Sequence, residues 1–256
     1  PYLGDASERH RVNRRESFEA DGFVAVSGFC SEAECEALET ELSRIIDTQL
    51  DALPPEHVFL EDKSDRASLK QLQQLQTHSP VLGDFMNGRV RELVEELLGE
   101  LVVPKNLQYF NKAPGQSRAT PPHQDGAYFL LEPCRAVTLW LALDAVDESN
   151  GCVRYIRGSH RSGERPHART ATLGFSRGIT DFGEEDLANE VKCPAEPGDL
   201  LAHHAWTIHR AEANTSPRSR RALGFIFYGE SAREDAAAHA AYQKQLATEL
   251  TMEGRI

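Results

Sequence analysis

The sequence predicts a mainly β protein with flanking α-helices: a helical N-terminal layer, an antiparallel β sandwich or barrel, and a closing C-terminal helix. Three observations lead there. Apolar residues recur at helical spacing up to about residue 100, then give way to short β-rich runs. Turn signals punctuate those runs at Ser149-Asn150-Gly151, Gly158-Ser159, Pro197-Gly198-Asp199 and Asn214 to Pro217. No helical pattern is interleaved between the strands, which argues against a parallel sheet.

The elements follow in order within one domain of 256 residues. Residues 1–16, with the basic run Arg9 to Arg15, read as a solvated arm. Residues 17–100 read as a mostly helical support. Within it Phe23 to Val26 form a short strand, and Ser31 with Glu34 makes a capping box. The helix that follows, over about 32–50, places Leu38, Leu42, Ile45 and Leu50 on one face. Residues 55–78 are polar without a clear period and read as a loop. Ser79-Pro80 opens a second helix that runs through Leu93, Leu97 and Leu98 to a stop at Gly99. The β core spans 101–230, with strands over 107–110, 127–131, 135–143, 152–156, 199–204, 207–212 and 221–229. Residues 161–190 interrupt it with charge and glycine and read as a lid insertion. Ser231 and Glu234 cap an Ala-rich helix in the closing segment 231–256.

The balance of charge excludes some partners. Asp and Glu number 40 against 28 Lys and Arg, a net charge of -12. Such a chain repels nucleic-acid phosphates and anionic membrane surfaces, so a small-molecule substrate is expected instead. The five cysteines (30, 35, 134, 152 and 193) form no C-x-x-C pair and read as buried small hydrophobes in a reducing compartment. With no signal peptide and no long apolar run, a cytoplasmic location is expected. Oligomeric state is not legible.

One stretch carries chemistry. In "PPHQDGAYF", His123 and Asp125 are two residues apart. In a strand such residues point to the same side, so an imidazole and a carboxylate converge. Two histidines and one carboxylate make the facial triad of non-haem Fe(II) oxygenases. The candidates for the second histidine are His203 and His204, which end one strand, and His209, which opens the next. Arg220 and Arg221 open the strand after that, where a guanidinium suits a dicarboxylate held bidentately.

Residues 106–230 resemble the phytanoyl-CoA dioxygenase-like family of Fe(II)- and 2-oxoglutarate-dependent oxygenases. The matching pieces are "NKAPG" (111–115), "PPHQDG" (121–126), "TLWLALDAVDESNG" (138–151), "RGSHR" (157–161), "PGDLLAHH" (197–204) and "IHRAEANTSPRSRRAL" (208–223). The resemblance implies a double-stranded β-helix, a jelly-roll or cupin-like core with the metal at one open end. It implies that His123, Asp125 and His209 bind Fe(II) and that Arg220, eleven residues after His209, binds the distal carboxylate of 2-oxoglutarate. Arg221 then faces outward. Trp140 matches a position near the cosubstrate. The family often has Ser two residues after the distal histidine; here that residue is Ala211. Gln108, Lys112 and Thr138 are the candidates for replacing that polar contact.

The implied reaction is hydroxylation of an unactivated C–H bond of a small organic molecule, using O2 and releasing succinate and CO2, with ascorbate as an aid in vitro. Related halogenases lack the carboxylate ligand, so Asp125 implies oxygenation rather than chlorination. Two other readings stand beside this one. A zinc hydrolase or isomerase would need the triad but not Arg220. A catalytically silent binding module would need none of the four residues. Tyr128 and Phe129, with the 161–190 insertion, are expected to set substrate choice. His203 and His204 line the pocket or satisfy core polar groups.

Overall fold

The computed structural model describes residues 13–115, 117–235, and positions 237, 240, 241, 244, 248, 251 and 252. Residues 1–12 of the expected arm lie outside the described residues, as does most of the closing segment, whose described positions from 237 to 252 are helical.

The N-terminal part supplies helices and three sheet strands. Helix α1 (Arg14–Asp21) is capped by Asn13, whose side chain accepts from Glu16 N, so the helix begins inside the expected arm. Strand β1 (Phe23–Val26) follows, and then α2 (Glu32–Gln49), opened by the Ser31–Glu34 capping box. The polar stretch 55–78 is not a loop. It holds β2 (Val58–Leu60), β3 (Leu69–Leu72) and the single turn α3 (Leu75–His78). Strands of three and four residues are too short to show a period. The expected second helix is two: α4 (Pro80–Phe85), with Ser79 accepting from Leu82 N, and α5 (Arg91–Leu98), which stops at left-handed Gly99. A π-type turn over Met86–Val90 joins them, with Gly88 off helical geometry at φ -85°, ψ -131°.

The rest of the chain builds the core: β4 (Val102–Lys112), β5 (Thr120–His123), α6 (Gly126–Phe129), β6 (Ala136–Ala142) and β7 (Val153–Ile156). The insertion 161–190 contains a hairpin of β8 (His167–Thr172) and β9 (Phe175–Ile179), then α7 (Glu184–Ala188). The chain continues as β10 (Glu190–Cys193), β11 (Leu200–His204), β12 (His209–Ala211) and β13 (Arg220–Gly229). The strand expected over 127–131 is absent, because that segment turns into α6. Ser231 does not cap the closing helix. Its N–H and hydroxyl both donate to the Glu100 carboxylate, while Glu234 accepts from Lys105 at 3.0 Å.

Two antiparallel sheets face each other as a double-stranded β-helix. The larger has the order β1-β11-β6-β13-β4-β3-β2, the smaller β10-β7-β12-β5. Alternation on β6 and β13 divides the molecule. Leu139, Leu141, Leu223, Phe225 and Phe227 pack outward against α2, α4 and α5. Trp140, Ala142 and Ala222 point inward, against Val153 and Tyr155 of β7. Covering both faces buries all of β6, which is why its sequence runs apolar without alternation. The five cysteines are free and buried. Among the described residues no helix is long and apolar enough to cross a membrane.

Candidate metal centre and cavity

His209 stands directly opposite His123 in the β5–β12 pair, and the two ring centroids are 4.1 Å apart. Each ring is held the same way. His123 Nδ1 lies 2.8 Å from Pro121 O, and His209 Nδ1 lies 3.0 Å from Thr207 O. A carbonyl only accepts, so each Nδ1 carries the hydrogen and each Nε2 keeps a bare lone pair. The Nε2 atoms lie 3.6 and 3.7 Å from Asp125 Oδ1. One ligand atom from each of the three residues falls within 4.8 Å of the other two. Burial lowers the pKa of both histidines and keeps them neutral. For Asp125 burial acts upward, but the neighbouring His209 and His203 outweigh it and hold the carboxyl well below its usual range. Two neutral imidazoles and one carboxylate are the donor set of a divalent transition metal.

Asp125 arrives by a route that strand alternation does not describe. Strand β5 ends at His123, and Asp125 has helical dihedrals, φ -62° and ψ -33°. Its carbonyl accepts from Tyr128 N at 2.9 Å, and Gly126 N donates to Ala205 O. The turn is pinned by Gln124, which is fully buried: its amide donates to Gly163 O and Trp206 O and accepts from Arg165 N, each at 2.8 Å. Gly126 is required here, since a Cβ would lie 2.6 Å from the Trp206 ring. Asp125 Oδ2 accepts from Thr138 Oγ1 at 2.5 Å and from His203 Nε2 at 3.1 Å. The Thr138 hydroxyl is thus given to the carboxylate. His204 is not beside the cavity; its ring packs near Phe18 and His160.

A cavity of about 600 Å³ opens from the triad, lined among others by Gln108, Lys112, Tyr128, Phe129, Trp140, Ala211 and Arg220. Arg220 shares the inward parity of Ala222 on β13 and is 5 % exposed. Its guanidinium lies 5.0 Å over the Trp140 ring and donates to Gly151 O at 3.0 and 3.1 Å. Arg221, one residue on, leaves the cavity and pairs with Asp144 and Glu39. Lys112 is the direct partner of Arg220 on β4, and its Nζ donates to Arg118 O at 2.6 Å. Burial, then the Arg220 charge, pushes the Lys112 pKa down to about 6. Burial pushes Arg220 down to about 10, so it stays charged at neutral pH. Among the described residues no carboxylate pairs with Arg220 or Lys112. A buried guanidinium without an anion is costly, and a small dicarboxylate would complete it.

The sequence left His203 without a definite role and missed Gln124 and Tyr155. Gln124 had a signal, as the residue flanked by His123 and Asp125. Tyr155 had none, because only the β7–β12 pairing brings it to the site.

Comparisons with known proteins agree with this picture. The profile of the family described as "Phytanoyl-CoA dioxygenase (PhyH)" matches residues 18–222. Phytanoyl-CoA dioxygenase domain-containing protein 1 of Danio rerio is 28 % identical, over 82 % of this chain and 87 % of that protein. Among solved structures, EctD from S. alaskensis in its apoform superposes with a TM-score of 0.73 at 19 % identity, covering 92 % of this chain and 82 % of its own. The epimerase SnoN, in complex with Fe3+, alpha ketoglutarate and nogalamycin RO, gives a TM-score of 0.70 at 22 % identity, covering 86 % and 84 %. Both structural likenesses are of fold. With the family profile running from α1 into β13, this chain belongs to the phytanoyl-CoA dioxygenase family.

Proposed function

We propose that this protein is a non-haem Fe(II)- and 2-oxoglutarate-dependent dioxygenase that hydroxylates an unactivated C–H bond of a small organic molecule. One observation carries the reading: two bare Nε2 atoms and one carboxylate oxygen face a common point in a cavity whose buried Arg220 has no carboxylate partner among the described residues. A zinc hydrolase or isomerase would use the triad and leave Arg220 and Lys112 without a purpose. The iron and 2-oxoglutarate that the SnoN complex holds support the same pair of ligands here.

His123, Asp125 and His209 hold the metal. Arg220 and Lys112 hold the distal carboxylate of 2-oxoglutarate, and Trp140 gives its chain an apolar wall beneath the guanidinium. Gln108 offers an amide from the same face of β4 as Lys112. Bound Fe(II), with 2-oxoglutarate and O2, would supply the oxidising chemistry. The protein's share is to orient the ligands and keep water out. Tyr128 and Phe129 shape the substrate end, and residues of the β8–β9 hairpin cover it.

The test is succinate formation from 2-oxoglutarate with Fe(II) and ascorbate, measured across a panel of small-molecule substrates. Dependence on both Fe(II) and 2-oxoglutarate supports the reading. Turnover with Zn(II) and no 2-oxoglutarate overturns it. Products formed under 18-O2 in chloride-rich buffer should carry labelled oxygen and no chlorine.

A further inference from the structure

Asp125 uses its two oxygens differently. Oδ1 faces His123 and His209, whereas Oδ2 is occupied by Thr138 and His203. An ionised carboxylate only accepts, so His203 Nε2 carries the hydrogen, and in the neutral ring Nδ1 is then the acceptor. That Nδ1 lies 3.1 Å from the Tyr155 hydroxyl, which therefore donates to it. The cluster thus holds opposite tautomers: His123 and His209 present bare Nε2 atoms, and His203 presents an N–H. While these bonds stand, His203 is a donor to the carboxylate and not a ligand.

The arrangement is rigid. His203 and Thr138 are direct partners on β11 and β6, so the two donors reach Oδ2 side by side. Tyr155 is fully buried, and its ring stacks on Phe23 at 4.7 Å. His203 is 3 % exposed, which leaves little room for water to replace its N–H. We propose that His203, its ring held in place by Tyr155, is a positioning residue that acts with Thr138 to hold Asp125 with a single oxygen turned to the metal. This rests on reading the triad as the metal centre. Without the two donors the carboxylate is free to rotate about its last bond, and the preformed site is lost.

Co(II) binding to the metal-free protein tests this without any turnover, by titration calorimetry and by the visible absorption of the bound ion. Wild type should bind one Co(II). His203→Phe keeps a ring but no donor and should weaken binding by about 10- to 100-fold, the usual scale for a partner of a metal ligand. His203→Gln, which retains an N–H, should recover most of that loss. Tyr155→Phe should fall between. Thermal unfolding of each metal-free variant is measured in parallel. A purely structural role would lower the melting temperature of His203→Phe and leave its Co(II) affinity unchanged, and that result overturns the proposal. If His203→Phe does not fold, wild-type affinity in both Tyr155→Phe and Thr138→Val overturns it instead. Wild type that binds no Co(II) overturns the metal centre itself.

Discussion

His123 and His209 are direct partners across an antiparallel strand pair, with their imidazole centroids 4.1 Å apart. Both nitrogen donors therefore sit on one rigid ladder, and only the carboxylate comes from a turn. Replacing one histidine should remove metal binding and leave the ladder's backbone bonds in place. His209→Ala is expected to abolish 2-oxoglutarate turnover and stoichiometric metal uptake, with an unchanged circular dichroism spectrum. Full activity in that variant would move the ligand role to another histidine.

Arg220 and Arg221 differ by one residue and face opposite sides of β13. Removing one partner of a buried, hydrogen-bonded charge pair costs about 3–5 kcal/mol. Arg220→Ala should raise the KM for 2-oxoglutarate by two orders of magnitude or more. Arg221→Ala breaks half-exposed pairs with Asp144 and Glu39 and should cost about 1 kcal/mol of stability, with KM within about twofold of wild type. Steady-state kinetics and urea unfolding of both variants distinguish the two roles; the reverse ranking would place the cosubstrate elsewhere.

Lys112 is expected to link 2-oxoglutarate binding to pH. In the free protein its pKa is pushed down to about 6, and a dicarboxylate beside it would raise it again. The complex then holds more protons than the free protein above pH 6, so affinity strengthens as pH falls from 9 toward 6, by up to about tenfold per unit. Calorimetry in buffers of different ionisation enthalpy should register proton uptake at pH 8. Lys112→Met should bind more weakly, with that uptake gone.

Acid should destabilise the metal-free protein through its buried histidines. Burial is the main cause that lowers His204 to about 4, and it also lowers His123 and His209. A histidine whose folded pKa lies below the unfolded value adds stability above about pH 6.5, which is lost as pH falls toward 4. The melting temperature should therefore drop between pH 6.5 and 4.5. Added Fe(II), which binds only neutral imidazoles, should raise the melting temperature at pH 7 and have little effect at pH 4.5. A flat profile would mean that these histidines are not held neutral.

The β8–β9 hairpin should respond to ligands. Thr170, Thr172, Gly174 and Ser176 line the cavity, and the Tyr128 hydroxyl, in the turn that follows Asp125, donates to Arg177 O at 2.8 Å. Limited proteolysis between residues 167 and 179 is expected to slow when iron, 2-oxoglutarate and a true substrate are all present. Unchanged cleavage would remove the hairpin from the gating of the site. Tyr128→Phe, which loses this tie, should be cut faster in the absence of ligands.

The sequence by itself determined the candidate donor residues and the broad order of a helical N-terminal layer before a β core. The His123-x-Asp125 pair stood out because its spacing is local, as are the Ser31 cap and the Gly99 stop, whereas the resemblance to a family chose His209 among three histidines and Arg220 over Arg221. Only the tertiary structure decided how those groups meet. Asp125 comes from a helical turn because Gln124 is captured by backbone partners from residues 163, 165 and 206. Residues 58–72 add two strands because β4 offers an edge, not because their own pattern is strand-like. Thr138 and His203 serve the carboxylate because β6 and β11 pair in a register that sets them side by side. Each of these outcomes depends on strand pairing or hydrogen bonds between residues far apart in the chain, which no local pattern encodes.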